Sequence, residues 1–128
     1  MVKGVGIDLV EIRRIRELME KNTGGAFVRR TFTDAERKEA AQRHDPAVYY
    51  AARFAAKEAV FKAVGPLTAS KSFDLRIVET LNREDGSPCV SMTEKLMPIL
   101  ADAGVAVLHI SITDEGDYAA AFVVACGE

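Results

Sequence analysis

The chain has 128 residues, of which 48% are hydrophobic, and this size and composition predict one globular domain covering residues 1–128. No run of about 18 uncharged apolar residues exists, and the N-terminus lacks the apolar stretch of a secretory signal, so we expect a cytoplasmic protein. The two cysteines, Cys89 and Cys126, lack the spacing of a metal clip, which predicts reduced thiols.

Charge is spread unevenly although the net charge is only −2. Residues 1–62 hold 13 Lys and Arg against 9 Asp and Glu, whereas residues 63–128 hold 4 against 10. This asymmetry fits either an ordinary solvated surface or a cationic footprint for an anionic partner. A nucleic-acid-binding module has little support, because the pI is about 5.7 and no aromatic residues are interleaved with the basic ones.

The first elements predicted are a strand and a helix. Residues 5–10 form a short apolar run interrupted only by Asp8, which predicts a buried strand. Apolar residues at helical spacing predict a helix over residues 11–21, ended by residues 22–25.

Two further helices are predicted by their start signals. Thr33 and Glu36 match a capping box, which opens a short helix to about residue 43. Asp45 and a following proline predict the start of a long, alanine-rich helix through residue 64, ended by a Gly-Pro pair.

The remainder of the chain has mainly the texture of strands. Alternation predicts a strand over residues 73–77, and a turn at 85–88 precedes a short strand at 89–90. Two β-rich runs, 105–113 and 118–125, predict a hairpin.

One more helix is predicted between these strands. A second capping box at Ser91 and Glu94 opens it, Pro98 distorts it, and Gly104 ends it after residue 103. The predicted fold is α+β, a single domain in which an antiparallel sheet packs against a long helix.

Asp8 is unusual because a carboxylate within a buried strand costs several kcal/mol unless a cation or hydrogen bonds compensate it. A bound metal ion is one compensation. The alternative is that Asp8 ends the strand and caps the helix that follows near Glu11.

Glu58 and Lys62 stand four residues apart on the long predicted helix. Such pairs are common on helix surfaces, so a surface ion pair is the simple interpretation. However, Mg²⁺ is typically bound by one or two protein carboxylates, which Asp8 and Glu58 together would supply. Lys62 would then contact a phosphate. His109 is open to a phosphate contact, a proton relay or a structural role.

The motifs occur in an order that resembles the short, bacterial-type holo-acyl-carrier-protein synthases over nearly the whole chain. The resemblance rests on five segments, namely residues 6–12, 32–36, 52–59 with Lys62 and Gly65, 85–88 and 109–113. It implies the phosphopantetheinyl transferase fold and a homotrimer with active sites at subunit interfaces.

The resemblance also implies the roles of individual residues. Asp8 and Glu58 bind the Mg²⁺ cofactor against the pyrophosphate of coenzyme A. The residues implied to hold the nucleotide part or its phosphates are Arg53, Lys62, Gly65, Pro88 and His109. Arg14 matches a family position that engages an acidic acyl carrier protein, with Arg13 and Arg16 as weaker candidates beside it.

The implied reaction is attack by a carrier serine on the β-phosphate of coenzyme A, for the use of the carrier in fatty acid biosynthesis or polyketide assembly. Asp8, Glu58 and Lys62 are the expected catalytic residues, since charge accumulates on phosphate oxygens. The general base stays open among Asp8, a metal-ordered water and Glu36, whose capping role is the simpler one. A non-catalytic scaffold domain that binds coenzyme A or phosphate is the alternative function.

The chain departs from the family pattern in the loop after the long helix. Residues 65–68 read Gly-Pro-Leu-Thr in place of the usual Gly-Thr-Gly, which restricts how closely the backbone approaches a nucleotide. Ala52 replaces a common glycine and Asp114 a common histidine.

Overall fold

The computed structural model describes residues 1–21, 25–70 and 74–128. The predicted end of the first helix at residues 22–24, and Phe73 of the predicted strand 73–77, lie outside these residues. The strands described are β1 (Val2–Glu11), β2 (Thr80–Asn82), β3 (Pro88–Val90), β4 (Val107–Glu115) and β5 (Tyr118–Cys126). The α-helices described are α1 (Ile12–Lys21), α2 (Ala26–Thr31), α3 (Asp34–Ala41), α4 (Pro46–Val64) and α5 (Leu96–Ala103).

The main sheet is antiparallel, with β5 between β1 and β4, and β4 and β5 form the predicted hairpin. A second, two-stranded sheet pairs β2 with β3. The long helix α4 packs across one face of the main sheet, and the alanines Ala55, Ala56 and Ala59 in its middle are fully buried. The predicted α+β fold is therefore confirmed.

Two glycines of β1 let the strand touch the backbone of α4. A Cβ at Gly6 would lie 2.0 Å from the carbonyl oxygen of Ala59, and one at Gly4 would lie 2.2 Å from that of Ala63. Real Cβ atoms do not approach a backbone oxygen so closely, so only glycine fits here. Since alternate residues of a strand share a face, Asp8 is held on the same face as Gly6, against α4.

The opposite face of the sheet is uncovered, so the expectation that β1 is buried is wrong for alternate residues. Val5, Ile7 and Leu9 are 57%, 63% and 64% exposed, and Phe122 on the neighbouring strand is 44% exposed. The apolar run predicted two covered faces, whereas α4 covers only one of them within the chain. A continuous apolar surface therefore remains, and we call Val5, Ile7, Leu9 and Phe122 the open face.

The helix starts are largely as predicted. Thr33 and Glu36 form both hydrogen bonds of the capping box, and α3 then ends at Ala41. At α4, the Asp45 side chain accepts from the Ala47 N–H. The helix ends at Val64 as expected, but Gly65 has φ −51° and continues into a 3₁₀ turn (Gly65–Leu67), so it is not a left-handed cap.

Residues 74–77 are not a strand, because the Asp74 carboxylate accepts from the Arg76 N–H and caps a 3₁₀ turn (Leu75–Ile77). Helix α5 starts at Leu96 instead of near residue 91, because Thr93 accepts from the Leu96 N–H and the predicted Ser91 box does not form.

Four other features of the described residues bear on the predictions. Pro98 causes no distortion, since it lies in the first turn of α5, where its missing N–H costs no helical bond. Gly104, at φ 72°, ends α5 as predicted. None of the described helices has the length and apolarity needed to cross a bilayer, and both cysteines are unpaired.

Candidate active site

Asp8 lies within β1, opposite Ala121 of β5, so the alternative that it caps the following helix is wrong. Its side chain is 16% exposed. The Lys62 ammonium donates to Asp8 Oδ1 at 3.0 Å and to the carbonyl of Ile7 at 2.9 Å. Lys62 therefore supplies the counter-charge that a carboxylate in this position needs.

Glu58 is half-buried on α4, one turn before Lys62. Burial raises the pKa of Glu58, the charge of Asp8 raises it further, and Lys62 and Arg14 oppose the rise. Asp8 is therefore close enough to repel Glu58. Within the described part of the chain, Lys62 is ion-paired with Asp8 and not with Glu58, so the simple helix-surface pair is wrong.

This pair of carboxylates fits a hard divalent cation. Lys62 is ion-paired with Asp8, and burial together with the charge of Asp8 raises the pKa of Glu58, so a bound cation would stabilise the ionised form of Glu58. No third Asp, Glu, His or Cys among the described residues gathers with them into a closed metal site. Mg²⁺ suits such a set, since it takes one or two carboxylates and completes its octahedron with water and substrate phosphate.

Arg53 and Pro88 lie together in a separate cleft of about 420 Å³ between α4 and the β2–β3 hairpin. Arg53 is only 6% exposed, and its Nη2 donates to Asn82 Oδ1 at 2.9 Å. Its guanidinium carbon lies 4.8 Å from the centre of the Tyr49 ring.

Three buried polar groups beside this cleft lack a hydrogen-bond partner among the described residues. They are Arg53 Nε, Arg53 Nη1 and the Tyr49 hydroxyl. Burial raises the pKa of Tyr49, so its hydroxyl keeps its proton. Buried donors of this kind are costly unless a ligand or water accepts from them. We call this region the Arg53 cleft.

The Arg53 cleft and the Asp8–Glu58 pair lie on different sides of α4. Arg53 and Glu58 are five residues apart, which in a helix means about 7.5 Å along the axis and roughly 140° around it. His109 lies on a third surface. It pairs with Val124 on the side of the sheet that carries the open face, whereas Asp8 pairs with Ala121 on the side covered by α4. Gly65 is half-exposed, three residues beyond Lys62. One chain thus divides the predicted site residues among three surfaces.

The three arginines of α1 differ in their surroundings. Arg13 pairs with Glu11 at 3.1 Å, and Arg16 forms a two-bonded pair with Asp45 at 3.1 and 3.0 Å. Arg14 is exposed and has no ion pair among the described residues, and its charge acts on Glu58. Of the three, Arg14 is therefore both available to a partner and next to the carboxylate pair.

Glu36 is excluded as the general base because it is fully buried and its oxygens are occupied. Oε1 accepts from the Thr33 N–H at 3.0 Å and from the Lys57 ammonium at 2.8 Å, while Oε2 accepts from the Thr80 N–H at 3.0 Å. The predicted capping role is confirmed.

Sequence reasoning did not assign roles to Tyr49, Lys57 or Asn82. Tyr49, Arg53 and Lys57 recur every four residues along α4, and this spacing is the signal that places them on one face. The two departures Ala52 and Asp114 also line the Arg53 cleft.

Comparisons with known proteins show the family. Residues 4–123 match the 4′-phosphopantetheinyl transferase superfamily. A holo-[acyl-carrier-protein] synthase of Desulforudis audaxviator is 42% identical over 127 residues, which are 99% of this chain and 95% of the relative.

Solved structures give the same assignment. The crystal structure of holo-[acyl-carrier-protein] synthase from Neisseria meningitidis has a TM-score of 0.87 at 37% identity and covers 98% of both chains. One from Bacillus anthracis, in complex with CoA (3′,5′-ADP), has a TM-score of 0.79 at 30% identity, covering 100% of this chain and 99% of that one. The chain therefore belongs to the 4′-phosphopantetheinyl transferase superfamily, among the holo-[acyl-carrier-protein] synthases.

Proposed function

We propose that this chain catalyses Mg²⁺-dependent transfer of the 4′-phosphopantetheine arm from coenzyme A to a serine of apo-acyl carrier protein, with release of adenosine 3′,5′-bisphosphate. The observation that carries the metal-dependent part is that Asp8 on β1 faces α4, where it pairs with Lys62 and its charge acts on Glu58. Such a group suits the binding of a metal ion and a pyrophosphate.

In the proposed reaction the serine oxygen forms a bond to the β-phosphorus of coenzyme A, and the bond from that phosphorus to the oxygen bridging the α-phosphate breaks. Asp8 and Glu58 hold Mg²⁺, which when bound neutralises charge on the pyrophosphate and orients it. Lys62 binds the phosphate oxygens on which negative charge grows. The serine proton leaves to Asp8 or to a water, since Glu36 is buried and occupied.

Assembly into a homotrimer would complete the site. The three separate surfaces support this proposal, because Arg53 with Pro88, the Asp8–Glu58 pair and His109 lie on different sides of α4 and of the sheet within one chain. The open face gives the assembly a driving force, since contiguous exposed apolar residues usually mark an interface. His109 lies on that face, where it would be presented to a neighbouring subunit, while Gly65 adjoins Lys62.

The carrier protein would bind beside the metal pair. Arg14 is the main proposed contact because it has no ion pair among the described residues and its charge acts on Glu58, and an acidic carrier helix placed there would bring its serine towards the pyrophosphate. Arg13 and Arg16 would have to leave Glu11 and Asp45 to join it. We place this activity in the cytoplasm, in the supply of carriers for fatty acid biosynthesis, within one domain of residues 1–128.

A transfer assay tests the proposal. The protein is incubated with coenzyme A, Mg²⁺ and a bacterial apo-carrier, and the carrier is weighed by mass spectrometry. We expect a mass gain of one phosphopantetheine arm, abolished by chelation of the metal and in Asp8→Ala. Tight binding of coenzyme A without any mass gain on several carriers would instead indicate the scaffold function.

A further inference from the structure

A buried ion pair on α4 lies one turn from Arg53 and is not used by the proposed chemistry. Lys57 and Glu36 are both 0% exposed and are joined at 2.8 Å. Lys57 also donates to the carbonyls of Leu75 and Val78, so its three N–H groups are satisfied. Glu36 in turn accepts the backbone N–H of Thr80, the first residue of β2. The pair therefore ties α4 and α3 to the start of the β2–β3 hairpin.

That hairpin forms one wall of the Arg53 cleft. Asn82 at the end of β2 holds Arg53 Nη2, and Pro88, which pairs with Asn82 across the hairpin, lines the cleft. Arg53 and Lys57 are four residues apart on the same helix face, so both contact the segment that includes β2. Thr80, fixed by Glu36, and Asn82, bonded to Arg53, are only two residues apart.

We infer that Glu36 and Lys57 are positioning residues for the Arg53 cleft, which set the distance between α4 and the β2–β3 hairpin and so hold Arg53 ready for the nucleotide part of coenzyme A. This inference rests on the proposed function for the identity of the ligand. The physical reason is that a three-residue strand has too few contacts of its own to hold one side chain in place. A fully satisfied buried ion pair is rigid, because any shift leaves a charge unpaired.

The test uses Glu36→Gln, which keeps the size of the side chain and an acceptor for the cap but removes the charge that holds Lys57. Binding of adenosine 3′,5′-bisphosphate to the full-length protein is measured by calorimetry, together with steady-state kinetics. We expect both the Kd for this nucleotide and the KM for coenzyme A to rise about tenfold, as for other supporting contacts. The kcat and the KM for carrier should change less than twofold.

Two further variants separate positioning from simple stability. Glu36→Asp keeps the charge and the capping ability, so it remains a usable variant even if Glu36→Gln folds poorly. It should raise the nucleotide Kd and the KM for coenzyme A by a smaller factor. Leu100→Ala opens a cavity in α5, away from the cleft, and should lower the Tm without raising the nucleotide Kd.

The outcomes are distinct. A nucleotide Kd within twofold of the unmodified protein in folded Glu36→Gln and Glu36→Asp would overturn the positioning role. An equal rise of the nucleotide Kd in Leu100→Ala would show that lost stability alone weakens binding, and it would also overturn the positioning role. Failure of the unmodified protein to bind the nucleotide would overturn the proposed function, and this inference with it.

Discussion

Two lysines of α4, five residues apart, are paired with carboxylates in opposite ways. Lys57 and Glu36 are both fully buried, and every hydrogen-bonding position of the Lys57 ammonium is used. Lys62 is 53% exposed and holds Asp8, while the half-buried Glu58 beside them has no ion pair among the described residues. One helix thus carries a closed charge network and an open one.

The difference indicates a structural role for the closed network of α4 and a ligand-binding role for the open one. In the closed network the ion pair compensates its own burial, so nothing further needs to bind there. In the open network Glu58 is partly buried near Asp8, and its pKa is raised first by that burial and second by the charge of Asp8. A strained carboxylate of this kind marks a place where a ligand cation gains affinity.

Substituting each lysine by methionine gives the largest expected contrast. Lys57→Met leaves Glu36 buried without its partner and should lower the free energy of unfolding by about 3–5 kcal/mol. Lys62→Met loses a pair that water can partly replace, so it should cost less stability than Lys57→Met, yet lower the transfer rate by at least about 100-fold. Urea unfolding and initial rates measure the two effects. Equal losses of stability in both variants would contradict the contrast.

The substitution Gly6→Ala should disrupt the open network of Asp8, Glu58 and Lys62 by moving the backbone of β1. The new Cβ would lie 2.0 Å from the Ala59 carbonyl oxygen, so β1 must move away from α4, at a cost of about 3 kcal/mol. The matched control is Gly65→Ala, where a Cβ meets nothing within 4 Å and φ is −51°, so stability should hardly change. Thermal unfolding distinguishes them. A Gly6→Ala protein as stable as Gly65→Ala would refute the close contact.

Removing single arginines of α1 tests the proposed contact with the carrier beside the open network. Arg14→Ala should raise the KM for carrier about tenfold, equivalent to about 1.4 kcal/mol, with coenzyme A binding unchanged. Arg16→Ala, whose guanidinium is already bound to Asp45, should have a smaller effect. Transfer rates at varied carrier concentration measure both. The reverse order of effects would argue for Arg16 as the main contact.

The smallest effect expected is a gain of stability in Glu58→Gln. Since the folded-state pKa of Glu58 is raised, its ionisation opposes folding, and the stability of the metal-free protein falls as pH rises through that pKa. The variant lacks this ionisation, so it should have a higher Tm than the unmodified protein at neutral pH and an equal one at low pH. Calorimetric Tm against pH, in chelator, measures the difference. A lower Tm of Glu58→Gln than of the unmodified protein at neutral pH would refute the claim that the ionised Glu58 destabilises the fold.

The residues of the open network could be predicted from the sequence. A polar residue in an apolar run identified Asp8, and i, i+4 spacing identified Glu58 with Lys62, because these signals are local. The partner of Lys62 was not accessible, since Asp8 reaches it only through the sheet–helix contact at Gly6. For the same reason Glu36 was recognised as a cap but not as the partner of Lys57, 21 residues away.

The errors of secondary structure also have local causes. Residues 74–77 alternate like a strand, but the Asp74 side chain bonds the next turn and overrides the pattern. The start of α5 was misplaced because the hydroxyl that accepts from the Leu96 N–H at the start of the helix belongs to Thr93 and not to Ser91. Strand β1 was judged buried because apolar residues on an open sheet face cannot be distinguished by sequence from core residues.

The central claim is that Asp8 and Glu58 hold one divalent ion between them, and Mn²⁺ binding followed by electron paramagnetic resonance tests it most directly. With coenzyme A present, Asp8→Asn and Glu58→Gln should each weaken Mn²⁺ binding at least about tenfold, and the double variant should bind little more weakly than either. Mn²⁺ binding as tight as in the unmodified protein, in either single variant, would contradict the claim.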